Sequence, residues 1–264
     1  MVSGGELAKA LRAGFGPGDI VQGGVGKTVA ELRDGVTAGV KVINVESAAE
    51  LALVNAIAGE LGVVAPVGLR VNPEVVVANA HEYIATGERG HKFGIPYVEA
   101  ADVARAALGM VHVRLVCLDM HVGSQLATLD PYRDGMQRLA ALVTELRAAG
   151  APIRYLDIGG GLPVAYQAGD PTPDLPGYGT LVGETVHALD VELIVEPGRF
   201  LVGDCGVLLT RVLYRKASGG KQYVIVDAGM NDLLRPSHYD AYHRIDADRP
   251  SGRRVTAEIG RAHV

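Results

Sequence analysis

Tryptophan is missing from the 264 residues, phenylalanine occurs only three times, and aromatic side chains make up 5%. So few flat rings remove the usual stacking surfaces for single-stranded nucleic acid. A surplus of positive charge is missing too: 25 basic against 30 acidic side chains leave a net charge of -5, so no nucleic-acid partner is expected. Small anionic or zwitterionic ligands stay open, because a few local cations suffice to hold them. Cys117 and Cys205 can build neither a disulfide framework nor a metal cluster; each reads as a small apolar side chain, and the expected compartment is a reducing cytoplasm. No apolar run reaches the roughly 20 residues needed to cross a bilayer. Glu6, Lys9 and Arg12 interrupt the start, where a signal peptide would be apolar, so no membrane partner is expected.

Core material is present in quantity. The chain is 48% hydrophobic with 35 glycines and 13 prolines, enough for one large domain or one domain plus part of another. Up to position 200 a single rhythm repeats: a short apolar run, a turn rich in Gly, Asn or acid, then a helical stretch. Strand-like runs lie at 19–21, 40–45, 67–71, 115–122, 153–158 and 191–195, with a further opening at Met1-Val2-Ser3. Helical stretches lie at 6–13, 28–36, 48–59, 97–108, 132–149 and 180–189, Ser47 being a suitable cap for the third.

This alternation predicts an all-parallel α/β architecture with both sheet faces covered. Periodicity alone leaves an open doubly wound sheet and a closed barrel equal. The placement of polar and glycine residues favours the barrel. Ser3, Asn72, His121, Gly159, Gly160, Gly161 and Glu196 follow nearly every strand, as when many strand ends build one site. An open sheet concentrates such residues at one switch point. From 201 the rhythm changes: runs at 206–214 and 222–227 flank Gly219-Gly220 with no helix between, which predicts a hairpin and the start of a β-rich domain over 201–264.

Four motifs carry candidate chemistry. Gln22-Gly23-Gly24-Val25-Gly26-Lys27-Thr28 resembles a phosphate loop, but Val21 stands where the first glycine belongs, and a plain strand-to-helix turn explains the glycines better. Leu156-Asp157-Ile158-Gly159-Gly160-Gly161 exposes consecutive N–H groups directly after a strand, suiting a phosphate or simply a tight turn. Glu196-Pro197-Gly198-Arg199 places a carboxylate and a guanidinium on a rigid turn. They could serve a pyridine nitrogen and an anion, or form a structural ion pair. His121-Val122-Gly123-Ser124-Gln125 offers a flat imidazole and a hydroxyl. Together these three strand ends describe a pocket for a phosphorylated aromatic cofactor, and no serine triad or zinc spacing competes with it.

With these residues in place, the sequence resembles the diaminopimelate decarboxylase family, in the alanine-racemase-like, ornithine-decarboxylase-like class of pyridoxal-phosphate enzymes. The matches are Ser3-Gly4-Gly5-Glu6-Leu7, His81-Glu82-Tyr83-Ile84-Ala85-Thr86-Gly87, Lys92-Phe93-Gly94-Ile95, the three strand-end motifs, and Asp227-Ala228-Gly229-Met230-Asn231-Asp232 with Arg235-Pro236 and Tyr239. The resemblance implies pyridoxal 5'-phosphate as cofactor, with His121 stacked on its ring and Glu196 on the ring nitrogen. Ser124, Gly159, Gly160, Gly161, Pro197, Gly198 and Arg199 would lie about the phosphate. Arg199, Arg235 and Tyr239 match positions that bind meso-diaminopimelate, which the family decarboxylates to L-lysine as a homodimer.

One departure shapes the expectation. The family's Schiff-base lysine lies on the first barrel strand, and the resemblance begins inside the second. Lys9, Lys27, Lys41, Lys92, Lys216 and Lys221 do not occupy its setting. The expected fold is therefore an incomplete (β/α)8 TIM-like barrel over 1–200 without its first strand, followed by a truncated β domain over 201–264. The chain is expected to be catalytically non-competent as it stands. A decarboxylase of another basic amino acid or polyamine, and a non-catalytic cofactor-binding protein, are the alternative readings.

Overall fold

The computed structural model describes residues 1–76, 91–249, 252 and 256–261. The motif at 81–87 lies outside them. The chain divides into two compact units, Met1–Pro163 with Pro173–Phe200, and Leu201–Val264 with Val164–Thr172.

In the first unit, helices and parallel strands alternate. They run α1 (Gly4–Arg12), β1 (Val21–Gln22), α2 (Val29–Ala38), β2 (Val42–Val45), α3 (Ala48–Glu60), β3 (Ala65–Asn72), β4 (Ile95–Pro96), α4 (Tyr97–Leu108), β5 (Val113–Asp119), α5 (Asp130–Ala148), β6 (Tyr155–Asp157), α6 (Leu175–Leu189) and β7 (Glu192–Ile194). The short helix α7 (Gly198–Val202) follows. The sheet order is β1-β2-β3-β5-β6-β7 with β4 on β3, and every pairing in it is parallel. Neighbours in the β1-β2-β3-β5-β6-β7 order follow one another in sequence and space, with a helix between each pair, which is the winding of a (β/α)8 barrel. Among the described residues, the reversal of order that marks a doubly wound sheet does not occur. The sheet is that of an incomplete TIM-like barrel, as expected.

Each element has a local cause. Ser3, expected at a strand end, instead caps α1 by accepting the Glu6 N–H. Residue 1 still makes strand-like contacts, its ammonium donating to the Val21 carbonyl at 2.7 Å and its carbonyl accepting from Gly23 N at 2.8 Å. Thr28 and Glu31 form a reciprocal capping box on α2, and Ser47 caps α3 as its position suggested. Helix α6 starts earlier than its apolar pattern because Asp174 accepts the Gly177 N–H and Pro176 fits the first turn.

Strand residues alternate between two environments. Ile43, Val45, Val67, Leu69, Leu118, Leu156 and Ile158 join the core under the helices. Val42 and Cys117, with the partly buried Val21, Tyr155 and Ile194, pack on the barrel interior. Toward the carboxyl ends of the strands the interior becomes polar, with Asn44, Asp119 and Asp157 all buried.

In the second unit, β8 (Val212–Ser218) and β9 (Lys221–Val226) form the expected antiparallel hairpin. The first strand lies later than its apolar run. Gly219 and Gly220 both take positive φ, making a two-residue turn that pairs Ser218 with Lys221 and so draws residues 215–218 into the ladder. Helix α8 (Arg235–Tyr239) follows, and β10 (Glu258–Gly260) runs parallel to β9.

Candidate cofactor site

Three neighbouring strand ends converge at the polar mouth of the first unit. After β6 the chain turns through Gly159, Gly160 and Gly161, with Gly159 at φ 67° and Gly161 at φ 107°, a region that favours glycine. Side chains would also find no room. A Cβ on Gly160 would lie 2.1 Å from the Glu196 carbonyl oxygen, and one on Gly159 would lie 2.5 Å from the Met120 carbonyl oxygen. Backbone therefore packs on backbone, locking the ends of β5, β6 and β7 together.

Four side chains or backbone groups fix this turn. Asp157 Oδ1 accepts the Gly159 N–H at 3.0 Å, and His121 Nδ1 accepts the Gly160 N–H at 3.2 Å. Tyr132, fully buried on α5, donates its hydroxyl to the Gly160 carbonyl at 2.9 Å. The Gly159 carbonyl accepts the Glu196 N–H at 2.8 Å. Because His121 accepts at Nδ1, its neutral ring carries the proton on Nε2. Burial, with the Arg70 charge second, lowers the His121 pKa from 6.5 to about 4, so the imidazole is neutral at physiological pH.

Beyond β7, Gly198 N donates to the Glu196 carbonyl at 2.8 Å, tightening the Glu196-Pro197-Gly198-Arg199 turn. Arg199 then reaches back to the loop after β5, its Nε and NH2 donating to Ser124 Oγ at 3.2 and 3.1 Å. The structure thus gathers His121, Ser124, Gly159, Gly160, Gly161, Glu196, Pro197, Gly198 and Arg199 at adjoining strand ends. A neutral flat ring, a carboxylate, a guanidinium, a hydroxyl and closely approachable backbone are a donor set that fits a planar heteroaromatic phosphate.

Residues 1–203 match the family described as "Pyridoxal-dependent decarboxylase, pyridoxal binding domain". The chain belongs to this family.

Two curated relatives of this chain are named diaminopimelate decarboxylase. The one from Pseudomonas aeruginosa is 47% identical over 251 residues, covering 95% of this chain and 60% of the relative. The one from Neisseria meningitidis serogroup A is 44% identical over 250 residues, covering 95% and 61%. The solved diaminopimelate decarboxylase of Helicobacter pylori, complexed with L-lysine, superposes with a TM-score of 0.89 at 40% identity, covering 95% of this chain and 62% of that one. The chain spans about 60% of the length of the curated relatives it matches.

The other motifs find different uses in this barrel. Lys27 does not present a free ammonium to a phosphate. Its Nζ lies 2.6 Å from Glu50 Oε1 and donates to the Gly24 carbonyl at 2.6 Å, with the side chain 1% exposed. Glu31 accepts N–H groups from both Gly4 and Thr28 at 2.9 Å, tying the Ser3-Gly4-Gly5 segment to α2. Those two bonds lower its pKa from 4.5 to about 2. In Lys92-Phe93-Gly94, the Phe93 ring faces the Arg70 guanidinium at 5.2 Å, while Glu46 accepts from Arg70 NH1 at 3.0 Å and from Gly94 N at 2.9 Å. Arg235 and Tyr239 lie on α8 in the second unit. Arg235 stands 4.8 Å over the Tyr166 ring and 3.0 Å from His243 Nε2, and Tyr239 packs edge-on to His238.

Sequence reasoning missed Asp157, Tyr132, Arg70, Asn44 and Asp119. Asp157 had a signal, since an acid two residues before a glycine turn readily accepts its N–H. Tyr132 had none, because an aromatic residue on an amphipathic helix normally reads as core.

Proposed function

We propose that this chain binds pyridoxal 5'-phosphate at the three strand ends and forms the cofactor-binding part of a decarboxylase that converts meso-diaminopimelate to L-lysine. The observation that carries the reading is the locked meeting of the glycine turn, His121 and the Glu196 to Arg199 turn. When bound, the cofactor supplies an electron sink for the pair left on the substrate carbon as carbon dioxide departs. The Glu196 carboxylate holds the proton on the ring nitrogen. The neutral His121 imidazole would face the cofactor ring without adding a charge. Ser124 and Arg199, with the glycine backbone, hold the phosphate.

Arg199, Arg235 and Tyr239 are assigned to the substrate, the guanidinium groups matching its carboxylates. The match to relatives named diaminopimelate decarboxylase supports meso-diaminopimelate as the substrate, while the residue assignment, a homodimeric assembly and a cytoplasmic location rest on the family resemblance. Among the described residues, no helix is long and apolar enough to cross a membrane.

Three lysines of the first unit have contacts outside the glycine turn, and the fourth is placed on the first helix. Lys27 is held by Glu50, Lys41 lies 5.5 Å over the Tyr155 ring, Lys92 lies 5.3 Å over the Phe93 ring, and Lys9 stands in the last turn of α1. None of the six lysines matches the family's Schiff-base position, and in this reading the chain holds the cofactor by contacts alone and does not turn over substrate unaided.

Absorbance titration with pyridoxal 5'-phosphate tests the reading. Saturable binding that inorganic phosphate displaces is expected, and borohydride treatment of the complex is expected to leave the chain mass unchanged. Absence of binding overturns the proposal, as does preference of the loaded chain for ornithine over meso-diaminopimelate in a competition titration.

A further inference from the structure

Asp119 closes β5 and Asp157 closes β6, and the two are register partners in the parallel ladder. Their side chains leave the same face of the sheet, one strand spacing of about 4.8 Å apart. Both are buried, at 4% and 0% exposure. Among the described residues the cation that faces them is Arg70, register partner of Asp119 on β3, and it donates NH1 to Glu46 instead. Glu46 and Glu196 add negative charge on either side, and the Cys117 thiol lies beside both carboxyls.

Two ionised carboxylates so placed repel in a medium that screens poorly, and one of them retains a proton. Burial first, and then the Asp157 charge, raise the Asp119 pKa. Burial first, and then the Glu196 charge, raise that of Asp157 to about 7.

The two hydrogen bonds that Asp157 accepts, from Gly159 N at 3.0 Å and from Asn44 Nδ2, favour its ionised form, and burial with the neighbouring charges outweighs them. Asp157 Oδ2 stands 3.5 Å from Asn44 Nδ2, a long contact. The buried Asn44 Oδ1 and Asp119 Oδ1 have no partner among the described residues. A half-turn of the Asn44 amide, whose orientation is set by its partners, would present Oδ1 to a protonated Asp157 Oδ2. Room for Asn44 to span the sheet comes from Gly68 on β3, where a Cβ would fall 2.1 Å from Asn44 Oδ1.

We propose that Asp119 and Asp157 are a proton-sharing carboxyl pair, with Asp157 a positioning residue that anchors the glycine turn without placing a second full negative charge beneath Glu196. What the proton does for the site rests on the cofactor reading; where the proton sits does not.

Infrared spectroscopy of the full chain with carboxyl-labelled aspartate, taken without cofactor, tests the pair. A label-sensitive protonated-carboxyl band is expected near pH 6, fading as pH rises, and Asp119→Asn is expected to move that fading to lower pH. No such band in the unsubstituted chain overturns the proposal, as does a folded Asp119→Asn chain that titrates identically. Should that variant fail to fold, the unsubstituted spectrum decides alone.

The positioning role is read by pyridoxal 5'-phosphate affinity. Asp157→Asn, which still accepts the Gly159 N–H, is expected to bind within a few-fold of the unsubstituted chain, and Asp157→Ala to bind about tenfold more weakly. Equal losses for both overturn it. Failure of the unsubstituted chain to bind the cofactor counts against the cofactor reading and leaves the infrared result standing.

Discussion

At the scale of single residues, the glycine turn after β6 is the least tolerant place in the first unit. Gly160 has no special φ, so its requirement is one of space. A methyl group there meets the Glu196 carbonyl at 2.1 Å, and backbone cannot yield as a flexible side chain can. Gly160→Ala is expected to push the ends of β6 and β7 apart and to abolish measurable cofactor binding in the absorbance titration, while far-ultraviolet circular dichroism keeps its helical signal. Normal binding by that variant would show that the site does not depend on this contact. Tyr132→Phe makes a gentler test. It removes one hydroxyl and strands the Gly160 carbonyl, which Tyr132 alone reaches from α5. A buried unsatisfied acceptor costs about 1–3 kcal/mol, so urea denaturation should reveal a loss of that order with little change in shape. The edge-on Tyr178 ring, 5.2 Å away, stays in place to hold the phenyl group.

At the scale of elements, the loop between β1 and α2 illustrates how one sequence pattern supports two readings that only packing separates. Lys27 is clasped by Glu50 from α3 and by its own loop carbonyl, so it joins α2 to α3 as a buried ion pair. Removing one partner of such a pair strands the other charge, at a cost of about 3–5 kcal/mol. Lys27→Ala should approach that cost in urea denaturation, and the Lys27→Ala, Glu50→Ala double variant should recover part of it. Strict additivity of the two single changes would mean the pair is not coupled. Helices and the order of elements were legible in the sequence because caps such as Ser47, and apolar stripes such as that of α4, are local signals. The cofactor strand ends were legible because chemistry and glycine fall together there. Contacts that join distant segments were not. Nothing near Asn44 announces Asp157, which lies 113 positions away, and nothing near Gly68 announces that its missing side chain makes room for that contact. The ladder limits of β8 were likewise set by a two-glycine turn, whose register overrides the apolar run before it.

At the scale of the whole molecule, the buried titrating groups of the first unit oppose one another, and this fixes the shape of its stability against pH. The His121 pKa falls from 6.5 unfolded to about 4 folded. Between those values the unfolded chain binds the proton and the folded chain does not, so stability rises with pH. Asp157 goes the other way, from 3.8 unfolded to about 7 folded. Over that window the folded chain keeps a proton that the unfolded chain has lost, and stability falls with pH. Each slope reaches at most about 1.4 kcal/mol per pH unit where one state is fully protonated and the other is not. Where the windows overlap, between pH 4 and 6.5, the one proton that the Asp119–Asp157 pair retains on folding nearly cancels the one that His121 gives up. Glu31, lowered from 4.5 to about 2, adds stability that is present above its unfolded value and lost as pH falls through that range. Melting temperature is therefore expected to be nearly flat from about pH 4.5 to 6.5 and to drop on the acid side. His121→Phe keeps a ring in place and removes one of the opposing slopes. Its melting temperature should then fall steadily as pH is raised from about 4 to about 7, exposing the Asp157 contribution. Groups of the second unit such as His243, whose pKa is also lowered by burial and by Arg235, titrate alike in both chains and drop out of the comparison. If the two profiles run parallel across that range, His121 is not the buried neutral imidazole on which its place against a cofactor ring depends.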